Sequence, residues 1–330
     1  MIRIKNKSTN PYFNLALEEY ALKYINLDEP IIILWQNEPS VIIGRNQNTI
    51  EEINGKYIKD HHIHVVRRLS GGGAVYHDLG NLNFTFITKK GKEDIRNFEK
   101  FTRPVIETLK DLEVPASFTG RNDITIEDKK FSGNAQYMYK DRLLHHGTIL
   151  FDAELSVVQE ALNVKIDKIE SKGIKSVRSR VTNIAPYLKA PMNLGEFQSR
   201  LISTMFSNAK EEPKEYLLKT ADLDHIKKIM EERYLKWEWN YGESPAFNLQ
   251  KARRYVGGIL DIRMDVKDGF VKGCRIYGDY FGQEDTLELA EGLLNCRFEE
   301  SDIRSLLNHI DFSKYFLNIS KEDFIDCLFY

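Results

Sequence analysis

Near the start of the chain, apolar residues recur with the spacing of one face of a helix. After Asn10 and Pro11, apolar side chains occur every three or four positions, at Phe13, Ala16, Leu17, Tyr20 and Ala21. Asparagine is a favoured N-cap because its side chain accepts a hydrogen bond from a free backbone N–H, and proline suits the first helical position because no N–H is needed there. The pattern predicts a helix over about 11–24.

Four short segments have the composition of buried strands. Ile31 to Trp35 and Val41 to Ile43 are apolar runs rich in β-branched residues, separated by a Pro-Ser turn. We expect them to form two neighbouring strands. Val65 with Val66 and the alternating run Leu82 to Ile87 predict two more strands, with a glycine-rich connection between them.

Further along, helical and strand-like segments alternate irregularly. A helix is predicted over Asn97 to Asp111, and further helices over about 193–208 and 222–236. Strand-like pieces lie at about 116–118, 122–126, 130–138 and 146–151. Because the strict βαβ rhythm of a parallel sheet is missing, the predicted fold class is α+β, with a mixed or mostly antiparallel sheet flanked by helices.

The C-terminal end of the chain predicts a second, smaller domain. Glycine and proline interrupt the pattern between Trp237 and Pro245. Beyond them, strand-like segments near 260–262 and 270–277 precede helices near 283–294, 299–310 and 320–328. We therefore predict a large domain over 1–246 and a small α/β domain over 247–330, which has a size that can fold alone.

Composition excludes several classes of protein. Lys plus Arg (47) nearly balances Asp plus Glu (49), so the chain lacks the basic excess of a nucleic-acid binder. No apolar signal region opens the chain, and the run Ile31 to Trp35 is too short to span a bilayer, so we expect a cytoplasmic protein without a membrane partner. Three widely spaced cysteines indicate neither a disulfide framework nor a zinc site. Nothing indicates a large self-interface, and a monomer is expected.

The run Gly71-Gly72-Gly73 is the first segment that indicates chemistry. Three successive glycines are costly to order, so side chains must be excluded there. One interpretation is that a ligand approaches the main-chain N–H groups, with Arg67 or Arg68 contacting its phosphate or carboxylate. The alternative is a glycine-rich surface connection. The motif GxxxxGK[ST] is absent, and the loop leads towards a strand where a Rossmann fingerprint would open a helix.

A second segment places a lysine beside small residues. Lys129-Lys130 precedes Phe131-Ser132-Gly133-Asn134-Ala135 and follows Asn122-Asp123 closely. A lysine on a strand next to such a turn can reach an anionic group as a fixed point charge, and Lys130 is better placed than Lys129. The alternative is a solvated lysine pair in a hairpin turn.

The histidines do not have the spacing of metal ligands. His61, His62 and His64 are expected at the surface. His77 and His146 are candidates for a pocket, with a role in the core left open. The three cysteines, Cys274, Cys296 and Cys327, lie far in sequence from the glycine run, which disfavours acyl-cysteine chemistry.

Taken together, these segments resemble the lipoate–protein ligase A family over nearly the whole chain. The run Arg67 to Asn81 carries the pattern Arg-Arg-x-Ser-Gly-Gly-Gly-Ala-Val-x-His-Asp, which is specific to lipoyl and octanoyl transfer enzymes. The charged segment Lys172 to Asn183 narrows the resemblance towards the ligases that use ATP. The other matching runs are 10–19, 44–48, 120–123, 130–135, 145–148 and 237–247. The C-terminal domain matches only loosely.

The resemblance implies a fold, a reaction and partners. The large domain would be like that of biotin protein ligases, itself similar to class II synthetase cores, with the C-terminal domain as an accessory. Lipoate and ATP with Mg²⁺ would give lipoyl-AMP and pyrophosphate, and the lipoyl group would then pass to a lysine of a lipoyl domain. Acceptors of this kind are the E2 subunits of 2-oxoacid dehydrogenases and the H protein of glycine cleavage. Use of octanoate is left open.

The resemblance also implies site residues. Lys130 would touch both the lipoate carboxylate and the α-phosphate of ATP. Asp123 would help to place the nucleotide and Mg²⁺. The segment Lys172 to Asn183 would close over the adenylate. The positions matched to ATP and lipoate binding are Arg68, Ser70, Gly73, Ala74, Val75, Tyr76, His77, Asn81, Asn122, Asp123, Lys130 and His146. Those matched to the adenylate-binding loop are Lys172, Gly173, Ser176, Val177, Arg178 and Arg180.

Two alternatives accompany this assignment. One is a lipoyl or octanoyl transferase that moves the acyl group between carriers without ATP; such relatives generally use a cysteine nucleophile or lack the accessory domain. The other is a paralogue that binds a lipoyl group without catalysing a reaction. Both Lys130 and the arginine-containing loop are present, which argues against the second alternative.

Overall fold

The computed structural model describes residues 1–25, 29–91, 93–119, 122–162, 181–207, 214–241, 249–267 and 269–329. The chain divides into two compact units. The N-terminal unit consists of Met1–Ile42, Ile50–Arg67 and Val75–Asn240. The C-terminal unit consists of Tyr241–Tyr330 together with two segments from earlier in the chain, Ile43–Thr49 and Arg68–Ala74. The predicted domain boundary at 246/247 lies outside the described residues.

Strands and helices follow the predicted order closely. The strands are β1 Ile2–Lys5, β2 Ile31–Trp35, β3 Ser40–Ile43, β4 His64–Arg67, β5 Val75–His77, β6 Asn81–Lys89, β7 Ala116–Thr119, β8 Asp123–Ile126, β9 Lys129–Tyr139, β10 Arg142–Leu150, β11 Lys214–Tyr216, β12 Leu249–Tyr255, β13 Gly258–Lys267 and β14 Phe270–Gly278. The helices are α1 Pro11–Lys23, α2 Thr49–Glu52, α3 Gly55–Asp60, α4 Phe98–Asp111, α5 Leu155–Ala161, α6 Leu194–Phe206, α7 Thr220–Ile229, α8 Trp237–Asn240, α9 Thr286–Gly292, α10 Glu300–Asn308 and α11 Lys321–Phe329.

The first helix begins where the sequence predicts. Asn10 caps α1 by accepting a hydrogen bond from the Phe13 N–H, and Pro11 occupies the first turn. The helix is buried on almost all sides, because even its carboxylates Glu18 and Glu19 are only 3% exposed. Buried carboxylates need hydrogen-bond or ionic partners, so α1 contributes polar groups to the interior as well as apolar contacts.

An eight-stranded mixed sheet forms the centre of the N-terminal unit. Its strand order is β11-β1-β2-β6-β10-β9-β8-β7. Strand β1 runs parallel to both of its neighbours, β11 and β2. Every other neighbouring pair in this sheet, from β2 with β6 to β8 with β7, is antiparallel. One face packs with α1 around Ile33, and the other packs with α4 and α6 around Phe84. The predicted mixed sheet flanked by helices is confirmed.

The predicted pairing of β2 with β3 is wrong. Both strands are fully buried, as expected. However, β2 pairs with β1 and β6 in the large sheet, whereas β3 lies in a separate three-stranded sheet of order β4-β3-β5. Strand β5, which the sequence analysis missed, is the one to which the glycine run leads.

The C-terminal unit has its own sheet and core. Strands β12, β13 and β14 form an antiparallel sheet, and α9, α10 and α11 supply apolar residues to the same cluster. The aromatic ring of Tyr280 is fully buried there and packs edge-on against Phe316, with 4.8 Å between ring centroids. Within the described part of the chain, no helix is long and apolar enough to cross a membrane.

Candidate active site

The lysine singled out by the sequence, Lys130, lies just after the turn of a tight hairpin formed by β8 and β9. Glu127 and Asp128 connect β8 to β9 and both have positive φ, the geometry of a type I′ turn. Lys130 is the second residue of β9, and its ammonium group lies 2.7 Å from the Asp123 carboxylate. Both side chains remain a little over one third exposed, so the ion pair is accessible to an incoming anion. The neighbouring Lys129 is exposed.

A glycine makes room for the lysine head group. A Cβ atom added to Gly133 would lie 2.8 Å from Lys130 Nζ. The Gly133 N–H donates a hydrogen bond of 3.1 Å to the Thr148 hydroxyl on β10. Lys130 is held from its backbone as well, because its carbonyl accepts a hydrogen bond from the Thr182 N–H at 2.9 Å. The strand therefore places a positive charge above a bare stretch of backbone.

Asn122 fixes the backbone beside Asp123. Its side chain donates to the Asn134 carbonyl at 2.7 Å, and the Asn134 side chain donates to the Asn122 carbonyl at 3.1 Å. This reciprocal pair locks the end of β8 against β9. In the structure, Asn122 therefore has a positioning contact that the sequence analysis did not anticipate.

A row of residues crosses the large sheet at the level of the lysine. Trp35 on β2 pairs with Asn83 on β6, and Asn83 pairs with Thr148 on β10. Gly133 on β9 contacts Thr148 and pairs with Asp123 on β8. Asn83 is not among the site residues predicted from the sequence, and Thr148 enters there only as part of the matching run 145–148. Their alternation in strands predicts the face on which they lie, but the register that aligns them with Asp123 depends on segments far apart in the chain.

A buried polar network lies two residues further along β6 and β10, at the pair Thr85 and His146. His146 Nδ1 lies 3.1 Å from Glu18 Oε1, and the histidine is 9% exposed. The same carboxylate oxygen accepts a hydrogen bond from the Thr85 hydroxyl, which accepts one from the Trp35 indole N–H at 2.9 Å. The network links α1 to three strands. His146 is thus an interior residue with a carboxylate partner.

Two further polar residues predicted for the site, His77 and Asn81, are also buried. His77 is 3% exposed, and its Nδ1 lies 3.1 Å from the Asn37 amide nitrogen. Asn81 is fully buried and donates to the Asn83 side chain at 3.0 Å. Asn81 therefore joins the polar row through Asn83.

Arg68 makes hydrogen bonds within its own loop, Arg68 to Ala74, which we call the glycine loop. Arg68 Nε donates to the Ser70 hydroxyl at 3.1 Å. Its terminal nitrogen donates to the carbonyls of Gly71 and Gly73 at 2.7 and 2.8 Å. Arg68 is 6% exposed. Its guanidinium group therefore cross-links the loop in the form described here, in addition to the ligand contact that the family resemblance implies.

Gly71, Gly72 and Gly73 differ in what a side chain would meet at each position. A Cβ atom on Gly71 would lie 2.6 Å from the Tyr280 carbonyl oxygen, so packing within the C-terminal unit excludes it. Gly72 has φ of +91°, a conformation that L-residues with side chains rarely adopt. For Gly73, no described atom lies within 4 Å of an added Cβ atom. Among the described residues, only this third position is open, so Gly73 is the glycine at which ligand access stays a prediction.

The remaining predicted residues have mixed positions. Val75 and Tyr76 pair with β3 as part of β5, and Ala74 lies just before that strand. Burial, followed by the nearby charge of Asp78, raises the pKa of Tyr76 to about 12. The predicted adenylate-binding loop is Lys172 to Asn183, and its residues 172–180 lie outside the described residues. Lys130 belongs to the N-terminal unit and Arg68 to the C-terminal unit, so their joint action stays a prediction.

Two family models match the chain. The model of the lipoyl protein ligase A/B catalytic domain matches residues 10–206, and that of the bacterial lipoate protein ligase C-terminus matches residues 244–328. The chain belongs to the lipoate–protein ligase A family. The resemblance first inferred from the motifs is thereby confirmed.

Individual relatives agree with this assignment. A lipoate–protein ligase from Bacillus subtilis (strain 168) is 49% identical over 331 residues, covering 100% of both chains. The structure of P. falciparum LipL1 in complex with lipoate has a TM-score of 0.79 and 28% identity, covering 99% of this chain and 97% of that one. A lipoate–protein ligase A bound with ATP has a TM-score of 0.64 and 27% identity, covering 73% of this chain and 98% of that one. The predicted ligase class is confirmed.

Proposed function

We propose that this chain is an ATP-dependent lipoate–protein ligase that works through lipoyl-AMP. The observation that carries the proposal is the ammonium group of Lys130, held above Gly133 and paired with Asp123 in a partly exposed position. Joining a carboxylate to a phosphate brings two anions together and requires fixed positive charge. The lipoate-bound and ATP-bound structures of the relatives support both substrates.

Two half-reactions make up the proposed activity. In the first, a lipoate carboxylate oxygen forms a bond to the α-phosphorus of ATP, and the bond to the β-phosphate breaks to release pyrophosphate. In the second, the amine of an acceptor lysine forms a bond to the acyl carbon. The acyl C–O bond breaks, AMP leaves, and the amine loses a proton. Lys130 would stabilise the negative charge at the α-phosphate in both steps.

Asp123 is the proposed protein ligand for Mg²⁺. Magnesium in nucleotide sites is commonly bound by one or two carboxylates together with substrate phosphates, rather than by a cage made wholly of protein. A single, partly exposed carboxylate fits that arrangement. The described part of the chain holds no cluster of three or more metal-ligating side chains. Mg²⁺ would therefore bind with the nucleotide and screen its phosphate charge.

The remaining site assignments stand as part of the proposal. The residues assigned to ATP and lipoate binding are Arg68, Ser70, Gly73, Ala74, Val75, Tyr76, His77, Asn81, Asn122, Asp123, Lys130 and His146. The segment Lys172 to Asn183 is assigned to adenylate binding, through Lys172, Gly173, Ser176, Val177, Arg178 and Arg180. We also retain the domain division of 1–246 and 247–330, a cytoplasmic monomer, and lipoyl domains as acceptors, including E2 subunits and the glycine cleavage H protein.

Lipoate-dependent exchange of labelled pyrophosphate into ATP tests the proposal directly. The native protein should catalyse the exchange, and Lys130→Ala should lower its rate by about 10²- to 10³-fold, the loss typical of removing a charge-stabilising group. Lys129→Ala is the matched control, because Lys129 is the exposed neighbour of Lys130. No exchange by the native protein would refute ATP activation. Equal losses in the two variants would refute the role of Lys130.

Alkylation separates the ligase from a cysteine-dependent transferase. Burial raises the pKa of the Cys274 thiol to about 12 and that of Cys327 to about 11, and only the thiolate reacts as a nucleophile. Burial likewise raises the pKa of the half-buried Cys296. The native protein treated with iodoacetamide at neutral pH should keep its exchange activity. Loss of acyl transfer in step with alkylation would favour the transferase.

A further inference from the structure

The turn Gly44 to Asn48 is part of the matching family pattern, and it has no assigned role in either proposed half-reaction. It belongs to the C-terminal unit together with the glycine loop. The Arg45 N–H donates to the Ser70 carbonyl at 2.9 Å, and the Arg45 guanidinium group lies 2.8 Å from the Asp285 carboxylate. One residue therefore links the glycine loop to an acidic side chain 240 positions further along the chain.

Asp285 is itself held in place. It is the N-cap of α9, where its Oδ1 accepts a hydrogen bond from the Leu287 N–H at 2.9 Å, while Oδ2 faces Arg45. Burial alone would raise the pKa of Asp285, but the charge and hydrogen bond of Arg45 lower it overall. The carboxylate is thus ionised at neutral pH and has a defined orientation towards the arginine.

Tyr280 and Phe281, which lie a few residues before Asp285, pack against the glycine loop. The Tyr280 backbone and the Phe281 ring lie against Gly71, and the Phe281 ring would be 3.1 Å from a Cβ atom on Gly72. The Tyr280 hydroxyl donates a hydrogen bond to the Ile276 carbonyl at 3.0 Å, and the hydroxyls of Tyr280 and Thr286 are hydrogen-bonded to each other at 3.0 Å. Contacts from the C-terminal part of the chain therefore restrain the loop in addition to the hydrogen bonds of Arg68.

We propose that Arg45 and Asp285 are positioning residues that hold the glycine loop in its substrate-binding conformation. Asp285 acts through Arg45 and the Ser70 carbonyl rather than on the substrates. A loop with three glycines loses much conformational entropy on ordering, so external contacts must select its conformation. Misplacing a binding group by about 1 Å can lower a rate by about 10²-fold, so a distant ion pair has leverage on activation. This inference rests on the proposed function.

The test compares four variants in lipoate-dependent ATP–pyrophosphate exchange. Asp285→Asn removes the charge but keeps a good N-cap for α9. Asp285→Asn and Arg45→Gln, each as a single variant, should lower kcat/KM for ATP by about tenfold, mainly by raising KM. The double variant should be no worse than the poorer single variant, because the two residues act as one unit. Arg45→Lys keeps the charge and should recover most of the loss.

Glu322→Gln is the matched control. It weakens a surface ion pair with Arg304 in the same unit, on elements other than the loop and the Gly44 to Asn48 turn. It should stay within about twofold of the native protein, as expected for an exposed pair. Single variants within twofold of the native value, or a double variant whose loss is the product of the two single losses, would overturn the proposal.

Amide hydrogen exchange supplies a readout that does not depend on activity. Asp285→Asn should speed exchange at Gly71 to Gly73 while leaving the core strand β13 protected, because only the restraint on the loop is removed. Unchanged protection of the loop would overturn the positioning role even if the native enzyme is active. If instead the native protein lacked exchange activity, the proposed function would fail and the loop measurement would still decide the structural part of the inference.

Discussion

Gly44 lies so close to Gly72 that a Cβ atom on Gly44 would be 1.8 Å from the Gly72 carbonyl oxygen. Two glycines from different segments of the chain therefore touch through their backbones. The Arg68 N–H donates to the Ile43 carbonyl at 3.0 Å directly beside this contact. The glycine loop is thus in close backbone contact at Gly72, while no described atom lies within 4 Å of a Cβ atom added to Gly73.

Replacing these glycines should separate packing from ligand binding. Gly44→Ala must displace the Gly72 carbonyl, and we expect it to destabilise the protein by about 1–3 kcal/mol, the usual cost of overpacking. Gly73→Ala should keep the native stability but impair exchange activity by blocking the approach of substrate. Thermal unfolding and pyrophosphate exchange measure the two effects.

Gly55→Ala serves as the control for both glycine variants. No described atom lies within 4 Å of an added Cβ atom at Gly55, which starts α3. This variant should retain native stability and activity. Native activity in Gly73→Ala would contradict the assignment of Gly73 to substrate binding, and native stability in Gly44→Ala would contradict the tight contact.

Two threonines on β6 offer an isosteric comparison. Thr85→Val removes a hydroxyl that accepts from the Trp35 indole and donates to Glu18, so it should lower the free energy of unfolding by about 1–3 kcal/mol. Thr88→Val makes the same change of shape, but the buried Thr88 hydroxyl makes no hydrogen bond with the described residues, and this variant should be nearly neutral or slightly stabilising. Urea unfolding measures both. Equal losses would contradict the importance of the Trp35–Thr85–Glu18 network.

His145 predicts a loss of stability in mild acid. Burial, followed by the charge of neighbouring His146, lowers the pKa of His145 well below 6.5 in the folded state. As pH falls below 6.5, the unfolded chain binds a proton at this histidine that the folded chain does not, so the stabilisation present above pH 6.5 is progressively lost. One such proton changes stability by up to about 1.4 kcal/mol per pH unit.

Unfolding free energies measured between pH 5 and pH 7.5 test this dependence. His145→Gln should flatten the curve below pH 6.5, even though it also removes the stacking of His145 on Phe101, whose ring centroids are 4.8 Å apart. The exposed His62 provides the control, and His62→Gln should leave the slope unchanged. The same slope in His145→Gln and the native protein would contradict the assignment.

Local patterns predicted several parts of the fold and site well. The N-cap at Asn10, the hairpin before Lys130 and the strand-to-strand path of the glycine loop were all readable, because each depends on a few neighbouring residues. The pairing of β2 with β3 was not readable. Both are continuous apolar runs, and such runs indicate burial without indicating the partner strand.

The sequence by itself determined the elements, the family motifs and the charged groups available for chemistry, since these depend on residue types at fixed spacing. Only the tertiary structure decided that Asn83 and Thr148 share a row with Trp35, and that two of the three glycines face protein rather than open space. It also decided that Arg45 meets Asp285. Contacts of this kind depend on strand register and on packing between distant segments, and one chain's local pattern does not encode which distant surfaces will meet.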